Sequence, residues 1–412
     1  MVIIIYAANI KFKAEEIMKR LLAIIVGLVM LFCVSCTDQL SETTPTYDYE
    51  SRVYGSTWGA AMCWNRFVVS GWDNKIYDRA TGEVYNFCEE PECDGTCLLE
   101  RSSCEISQLR DGVLYFSAYE FGTADTYYCS RDMLTGETTV YFSVPRNELD
   151  SFGAMFTCGD WIYYTQRKLM EGGNSSNPND YQPCLFRFPV SGGNSEVYYP
   201  MRGNSEILWL IADGFMITTY QGGIWYTDLE TLTPKLIITM DQMGLPGLAQ
   251  IQCVNNRLYF ITNPEGNLIA APNGLPVNQP RLVTVDIETG EWKFLVEVPV
   301  VTYHITNEAV YFSPVEIRQM NDPEIYPPVS VEAKFFAASA TLYACDLDGS
   351  NIREVWTDDS NSFDFVEYYT VVDNIFYGIL FKFDQNQNKF GDYYYAEIHF
   401  DTGEIIPATI IE

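Results

Sequence analysis

Histidine is nearly missing from this 412-residue chain: His304 and His399 are the two it has. Clustered imidazoles therefore cannot hold a catalytic metal, and no Gly-x-Ser-x-Gly elbow accompanies either residue to suggest a nucleophilic triad. Each lies in a segment that reads as strand and is assigned to packing. Basic residues are also scarce, 25 Lys and Arg against 55 Asp and Glu, giving a formal net charge of −30. Binding to phosphate backbones or anionic lipid surfaces depends on Lys and Arg, so nucleic acid is excluded as a partner. Helical periodicity is almost absent beyond the N-terminal segment. The longest apolar run falls short of the roughly 20 residues that a membrane-spanning helix needs.

What is abundant is apolar and aromatic. Hydrophobic residues make up 47% of the chain and charged residues 19%, with 29 Tyr and 24 Phe spread evenly along it. That composition favours a folded, strand-rich protein over a disordered one. The length allows one large domain or two ordinary ones.

Residues 1–35 read as a targeting segment. Met18-Lys19-Arg20 supplies a basic n-region and 21–32 an apolar h-region of about the usual 7–15 residues. Cys33-Val34-Ser35-Cys36 follows, which resembles a bacterial lipoprotein signal in which a small residue precedes a Cys that is lipidated and becomes the new N-terminus. Cys36 is the expected lipidation site. Residues 1–17 fit no part of such a signal, and Met18 is read as the true start. Residues 36–50, polar and rich in Ser, Thr and Pro, are read as a flexible linker. The expected location is extracytoplasmic, with the membrane reached through the lipid alone.

From residue 51 onward one theme recurs. Asp111-Gly112-Val113-Leu114-Tyr115-Phe116, Asn255-Asn256-Arg257-Leu258-Tyr259-Phe260 and Asp373-Asn374-Ile375-Phe376-Tyr377 each place a tight turn before an aromatic-aliphatic strand. Related passes begin at Asn65, Gly159, Asp213 and Asn307. Asp-Gly and Asn-Asn between alternating hydrophobics signal two-residue hairpins, because these residues tolerate positive φ. A third strand then ends in an Asp-x-x-Thr-Gly-Glu turn, as at Asp132 to Glu137 and Asp286 to Glu291, and a fourth strand closes each unit. Four antiparallel strands recurring at such intervals mark a β-propeller blade, and seven passes imply seven blades. The fold class expected is all-β, a seven-bladed propeller over 51–412 following an N-terminal helical signal. No Gly-His…Trp-Asp pattern is present, so the blades differ from the WD40 type.

The lipoprotein signal, the Leu-Tyr-Phe blades and the Cys88-x-x-Pro91-x-Cys93 insertion together resemble surface lipoproteins of Gram-positive, clostridial-type gut anaerobes. Their propeller domain, of unknown function, is likened to that of low-density-lipoprotein-receptor-related proteins. The resemblance implies a fold and an address, and no activity. In that family a His usually follows two residues after the second Cys, a place held here by Gly95, which puts a Cys-and-His metal site in doubt.

Turns between the first and second strands and between the third and fourth fall on one face of a propeller, and the remaining connections fall on the other. The first set is short here. The second holds the long segments 167–183, 263–280, 314–340 and 382–392 and a Cys-rich insertion at 88–104. Long connections in compact domains tend to carry function, which makes their face the expected binding face. Tyr181, Tyr326, Phe335, Phe336, Asp180 and Glu324 are its candidate ligand residues, set to stack on sugar or peptide, against the plain alternative of loop packing.

Cys88, Cys93, Cys97 and Cys104 are separated by four, three and six residues. They suit disulfides, a tetrahedral metal or free redox-active thiols; an extracytoplasmic address favours disulfides, with pairing undetermined. Cys63, Cys129, Cys158, Cys184, Cys253 and Cys345 fall singly on strands and read as small buried hydrophobes. Asp364, Glu367, Glu206 and Glu105 lie on or beside first strands, where propeller glycosidases place their carboxylates. The stretch from Asp384 to Asp392 starts like an EF-hand loop but has Lys389 where that loop needs Gly, so no cofactor is assigned, calcium between acidic loops being the one left open. The function expected is a monomeric binding module for protein, peptide or glycan; the alternative is a polysaccharide hydrolase or lyase using channel carboxylates.

Overall fold

Turn chemistry sets the architecture. Asp111-Gly112, Asn255-Asn256 and Asp373-Asn374 each hold both residues at positive φ, the geometry whose twist matches that of the strands it joins. Each turn therefore folds two aromatic-aliphatic segments into an antiparallel hairpin, and each hairpin recruits the next strand. The computed structural model describes Tyr54 and residues 62–410, apart from 71–74, 88–101, 121–124, 146–154, 175–176, 204, 263–279, 321–332, 339, 359–364 and 385–388.

Seven four-stranded antiparallel sheets follow one another around a ring, confirming the seven-bladed propeller. Blade one comprises Met62–Trp64, Phe67–Val69, Lys75–Asp78 and Glu83–Asn86, and blade two Ser102–Arg110, Val113–Glu120, Asp125–Asp132 and Thr138–Pro145. Blade three has Met155–Cys158, Trp161–Leu169, Tyr181–Pro189 and Glu196–Pro200; blade four has Ile207–Ala212, Phe215–Tyr220, Gly223–Asp228 and Pro234–Thr239. Blade five follows as Leu248–Val254, Arg257–Thr262, Leu282–Asp286 and Trp292–Phe294. Blade six uses Val300–Ile305, Ala309–Met320, Thr341–Asp346 and Arg353–Thr357, and blade seven Phe365–Val372, Ile375–Asp384, Lys389–His399 and Ile405–Pro407. The first strand of each blade is innermost. Among the described residues helix is confined to the turn Met240–Met243, capped by Thr239, and a 3-10 turn, Pro178–Asp180.

The core is divided among the interfaces between blades. Alternation along a strand sends successive side chains to opposite sheet faces, so Leu258 and Phe260 pack towards blade four while Tyr259 and Ile261 pack towards blade six. Similar clusters fill the first-to-second interface around Phe67, Leu114 and Phe116, and the sixth-to-seventh around Leu342, Phe376 and Leu380. This is why hydrophobic residues are spread evenly along the chain.

Closure of the ring uses a device absent from the repeat. After the last strand of blade seven the chain crosses to blade one, where Thr409–Ile410 pairs in parallel with Glu83 and Val84. Blade one thereby gains a fifth, outermost strand. The same seam is held by the Arg79 to Asp373 ion pair at 2.9 Å, by the Tyr77 hydroxyl donating to Glu397 at 3.1 Å, and by edge-on contact of Tyr77 with Tyr377.

Candidate functional face

The Asp-x-x-Thr-Gly-Glu motif is consumed by structure. At Asp132 the carboxylate Oδ1 accepts from the N–H groups of Leu134 and Thr135, and at Asp228 and Asp286 the same two bonds recur. These backbone donors, led by the N–H of Thr135, Thr231 and Thr289, hold the three carboxyls below the usual range. The Thr hydroxyl accepts from the Glu N–H at Glu83, Glu137, Glu291 and Glu404, and the Gly takes positive φ. One further bond ties this turn to the hairpin turn beside it: Arg79, Met133, Val190, Leu229, Ile287 and Phe400 each donate N–H to a carbonyl of their own blade's first turn. The face carrying both turn types is thus a repeated, self-satisfied surface.

The opposite face is uneven. In blade three the second and third strands continue beyond the sheet, with Arg167 opposite Pro183 and Leu169 opposite Tyr181. Asp180, half-buried at their junction, accepts from the Asn174 N–H at 2.8 Å and the Asn177 side-chain amide at 3.0 Å. Its carboxylate is a staple of its own connection, and Tyr181 is a half-buried strand residue beside it. Stacking groups on a loose loop were expected at 167–183; a tall, internally bonded hairpin is found, because Arg167 to Leu169 and Tyr181 to Pro183 continue the ladder.

Blade six departs further from the expected loop at 314–340. Its second strand runs on to Met320 and pairs with an added strand, Ala333–Ala338, so that Phe335 lies opposite Arg318 and Phe336 opposite Ile317. Phe335 and Phe336 are strand residues of a projecting hairpin. In blade seven Phe383 faces Phe390 and Asp384 faces Lys389 across the ladder. Asp384 and Lys389 of the EF-hand-like stretch are thus ladder partners, and residues 385–388 between them lie outside the described residues. Glu324, Tyr326, Cys36, Cys88, Cys93 and Cys97 lie outside the described residues, as does the signal segment. The insertion expected over 88–104 ends by Ser102, and Cys104 sits on the innermost strand of blade two opposite Ala118.

Sequence reasoning missed one polar centre on this face. Arg202 and Glu206, in the crossing from blade three to blade four, form an ion pair at 2.6 Å with the Glu206 side chain fully buried. Glu206 accepts from the Arg202 N–H, Nε and Nη2 and from the Thr218 hydroxyl, while Trp225 and Tyr220 cover the guanidinium at 4.2 and 5.0 Å. Only the i, i+4 spacing hinted at it. Glu206, a candidate channel carboxylate, is thereby committed to a structural pair. Glu105 and Glu367 lie on innermost strands, as expected, opposite Ser117 and Ile379, and Asp364 lies outside the described residues.

The remaining candidates are also engaged. His304, buried, has Nε2 2.8 Å from the Thr370 hydroxyl of the next blade, and burial pushes its pKa down to about 3. His399 pairs with Glu397 at 3.1 Å. Of the six single cysteines all are buried except half-buried Cys158, and burial pushes Cys63, Cys253 and Cys345 up to about 12. Among the described residues no group of three or more His, Cys, Asp or Glu is arranged to hold a metal.

No protein-family model matches the chain, and no curated protein matches it in sequence. Solved structures share its fold. A prolyl endopeptidase superposes with a TM-score of 0.53 at 12% identity over 86% of this chain and 50% of its own. Acylaminoacyl peptidase from Pyrococcus horikoshii gives 0.48 at 12% identity, covering 86% and 52%, and an oligogalacturonate lyase in complex with manganese gives 0.46 at 12% identity, covering 80% and 86%. The chain spans about half the length of either peptidase. Likeness at this identity concerns the fold alone.

Proposed function

We propose that the protein is a binding propeller that captures a protein, peptide or glycan on the face bearing the projecting hairpins. The observation that carries this reading is the inequality of the two faces. One is a regular array of self-bonded turns; the other carries the extended hairpins of blades three, six and seven, standing beyond the sheets that support them. Irregular elements on a rigid scaffold are where recognition is usually built. The engaged state of Glu206, His304, His399 and the buried thiols also weighs towards binding over catalysis.

In this reading Cys36 carries a lipid that tethers the propeller, a monomer, outside the cytoplasmic membrane. Cys88, Cys93, Cys97 and Cys104 close the insertion after blade one by disulfides, and calcium is the candidate metal for the acidic loops. The test is a glycan and peptide array probed with the protein purified from residue 37 onward, with and without calcium, alongside a variant lacking 321–332. Binding without turnover, lost in the variant, is expected. Release of oligosaccharide products would replace this reading with a hydrolase or lyase. Cys36→Ser is expected to free the protein into the medium.

A further inference from the structure

The seam between blades one and seven holds a recess at its hairpin-bearing end. Ser70, Lys75 and Tyr77 of blade one and Tyr377, Ile379 and Tyr395 of blade seven line it. The Ser70 N–H donates to the Lys75 carbonyl at 2.9 Å, where the second strand of blade one ends and the third begins, so this rim borders a connection of the uneven face. On the other side the blade-seven ladder continues past Ile379 and Tyr395 to Phe381 and Tyr393. Alternation puts Tyr393 on the sheet face of Tyr395, and the two rings meet edge-on at 6.3 Å. Tyr395 is buried and Tyr393 is 44% exposed, so an aromatic wall runs from the recess out to solvent.

Two polar groups of this recess have bonding capacity left over. The Tyr395 hydroxyl is buried and has no hydrogen-bond partner among the described residues. Lys75 Nζ donates to Asn86 Oδ1 at 2.6 Å, a neutral acceptor, and no carboxylate among the described residues pairs with it. In a chain with 55 acidic residues against 25 basic ones, an ammonium without a carboxylate is notable, and it keeps two further N–H donors. A buried hydroxyl left unbonded is costly, and an aliphatic guest would leave it so, whereas a guest oxygen would not. The recess measures about 20 Å³, room for one hydroxyl-sized group and too little for a leucine or phenylalanine side chain. An aromatic wall leading to a small hole with one phenol and one ammonium matches a ring that has an apolar C–H face and oxygen at its rim.

We propose that the recess at the seam of blades one and seven is a sugar-binding subsite. A pyranose lies against the exposed ring of Tyr393 and sets one hydroxyl or carboxylate oxygen into the recess, between Lys75 Nζ and the Tyr395 hydroxyl. The site rests on the reading of the protein as a binding propeller and narrows its ligand to a glycan. Its two walls come from opposite ends of the repeat, so the seam contacts of Arg79 with Asp373 and Tyr77 with Glu397 also set the width of the site.

Saturation-transfer NMR of the protein from residue 37 onward tests it, with the methyl glycosides of glucose, galactose, N-acetylglucosamine and glucuronic acid as probes. Transfer to the ring protons of at least one is expected. Tyr393→Ala and Tyr395→Phe are each expected to weaken it by about 5- to 10-fold. Lys75→Met separates the two guests: a loss of about 10-fold or more confined to the glucuronide identifies a carboxylate, and an equal loss for a neutral glycoside identifies a hydroxyl. Tyr393 is exposed and Tyr395→Phe removes only an unbonded hydroxyl, so unchanged melting temperatures in both variants are expected and separate loss of the site from loss of the fold. Transfer to none of the four probes, or equal affinity in Tyr393→Ala and Tyr395→Phe, would overturn the subsite. Glycan binding on the array that survives both substitutions removes this site and leaves the binding-propeller reading standing; an array with no ligand at all removes both.

Discussion

Arg79 in the first blade donates from Nη2 to Oδ2 of Asp373 in the last, at 2.9 Å. The partners are unequal: the Arg79 side chain is 2% exposed and that of Asp373 63%. The guanidinium also reaches the Asn65 carbonyl at 3.1 Å and lies 5.0 Å from the Tyr377 ring. Its value to the seam lies in packing and carbonyl bonding more than in the screened ion pair. Arg79→Met is expected to cost about 2 to 3 kcal/mol and Asp373→Asn about 1 kcal/mol, measured by thermal and urea unfolding. Asn is the substitution of choice because Asp373 has φ of 53°.

Removal of residues 408–412 tests the parallel strand at the same seam. It deletes the bonds from Ala408 N–H to Tyr395 and from Thr409 N–H to Gly82, 2.9 and 3.0 Å long. At about 1 kcal/mol each, a loss near 2 kcal/mol is expected, with the unfolding transition moving down by a few degrees.

Glycines of the turn between third and fourth strands are expected to differ in cost. A Cβ at Gly349 would fall 2.4 Å from the Leu295 carbonyl oxygen of the preceding blade, and at Gly290 2.7 Å from that of Ile237. At Gly82 and Gly403 nothing lies within 4 Å. Alanine at the open positions pays only for its positive φ, about 1 kcal/mol; at the closed ones two blades must separate, and about 3 kcal/mol or more is expected. Four single variants compared by urea unfolding check this.

His304 makes stability depend on pH in a defined window. Burial depresses its pKa from 6.5 to about 3, so on acidification the unfolded chain takes up the proton first. The stability of the neutral, folded histidine is intact above pH 6.5 and is lost progressively down to about 3, at about 1.4 kcal/mol per pH unit. The turn aspartates have pKa values lowered from 3.8 and lose their contribution only below that value. His304→Gln is therefore expected to flatten the melting temperature between pH 6.5 and 4, whatever it does to stability at pH 7.

Glu206→Ala leaves the Arg202 guanidinium, 19% exposed, without its counter-ion. A loss of about 3 to 5 kcal/mol is expected. Gln at 206 is expected to recover part of it, since one amide oxygen can still accept from Thr218.

The blades were legible because their determinants are local. Asp373-Asn374 or Thr289-Gly290 fixes its turn within four residues, and strand alternation supplies the rest. The hairpins of blades three and six read as loops in the sequence because Pro183, Pro314, Arg167, Gln182, Arg318 and Gln319 interrupt the alternation while the ladder continues through them. Ring closure was not legible at all. Thr409–Ile410 is two residues long, and the bridge of Tyr54 to Cys253 is a single residue pair; neither has a period to detect, and both find partners far away in sequence. Glu206 lies just before an innermost strand, as its sequence position suggests, but its commitment to Arg202 and Thr218 depends on a crossing whose path no local pattern encodes.

The fifth strand on blade one bears on how the protein emerges from the ribosome. All four antiparallel strands of that blade come from residues 62–86, so it awaits no donated strand from the far end of the chain. Blades can form in the order of synthesis, and the terminus only latches a ring already assembled. Tyr54 follows the opposite schedule: among the first residues of this body to be made, it has no strand to bridge until Cys253 has left the tunnel.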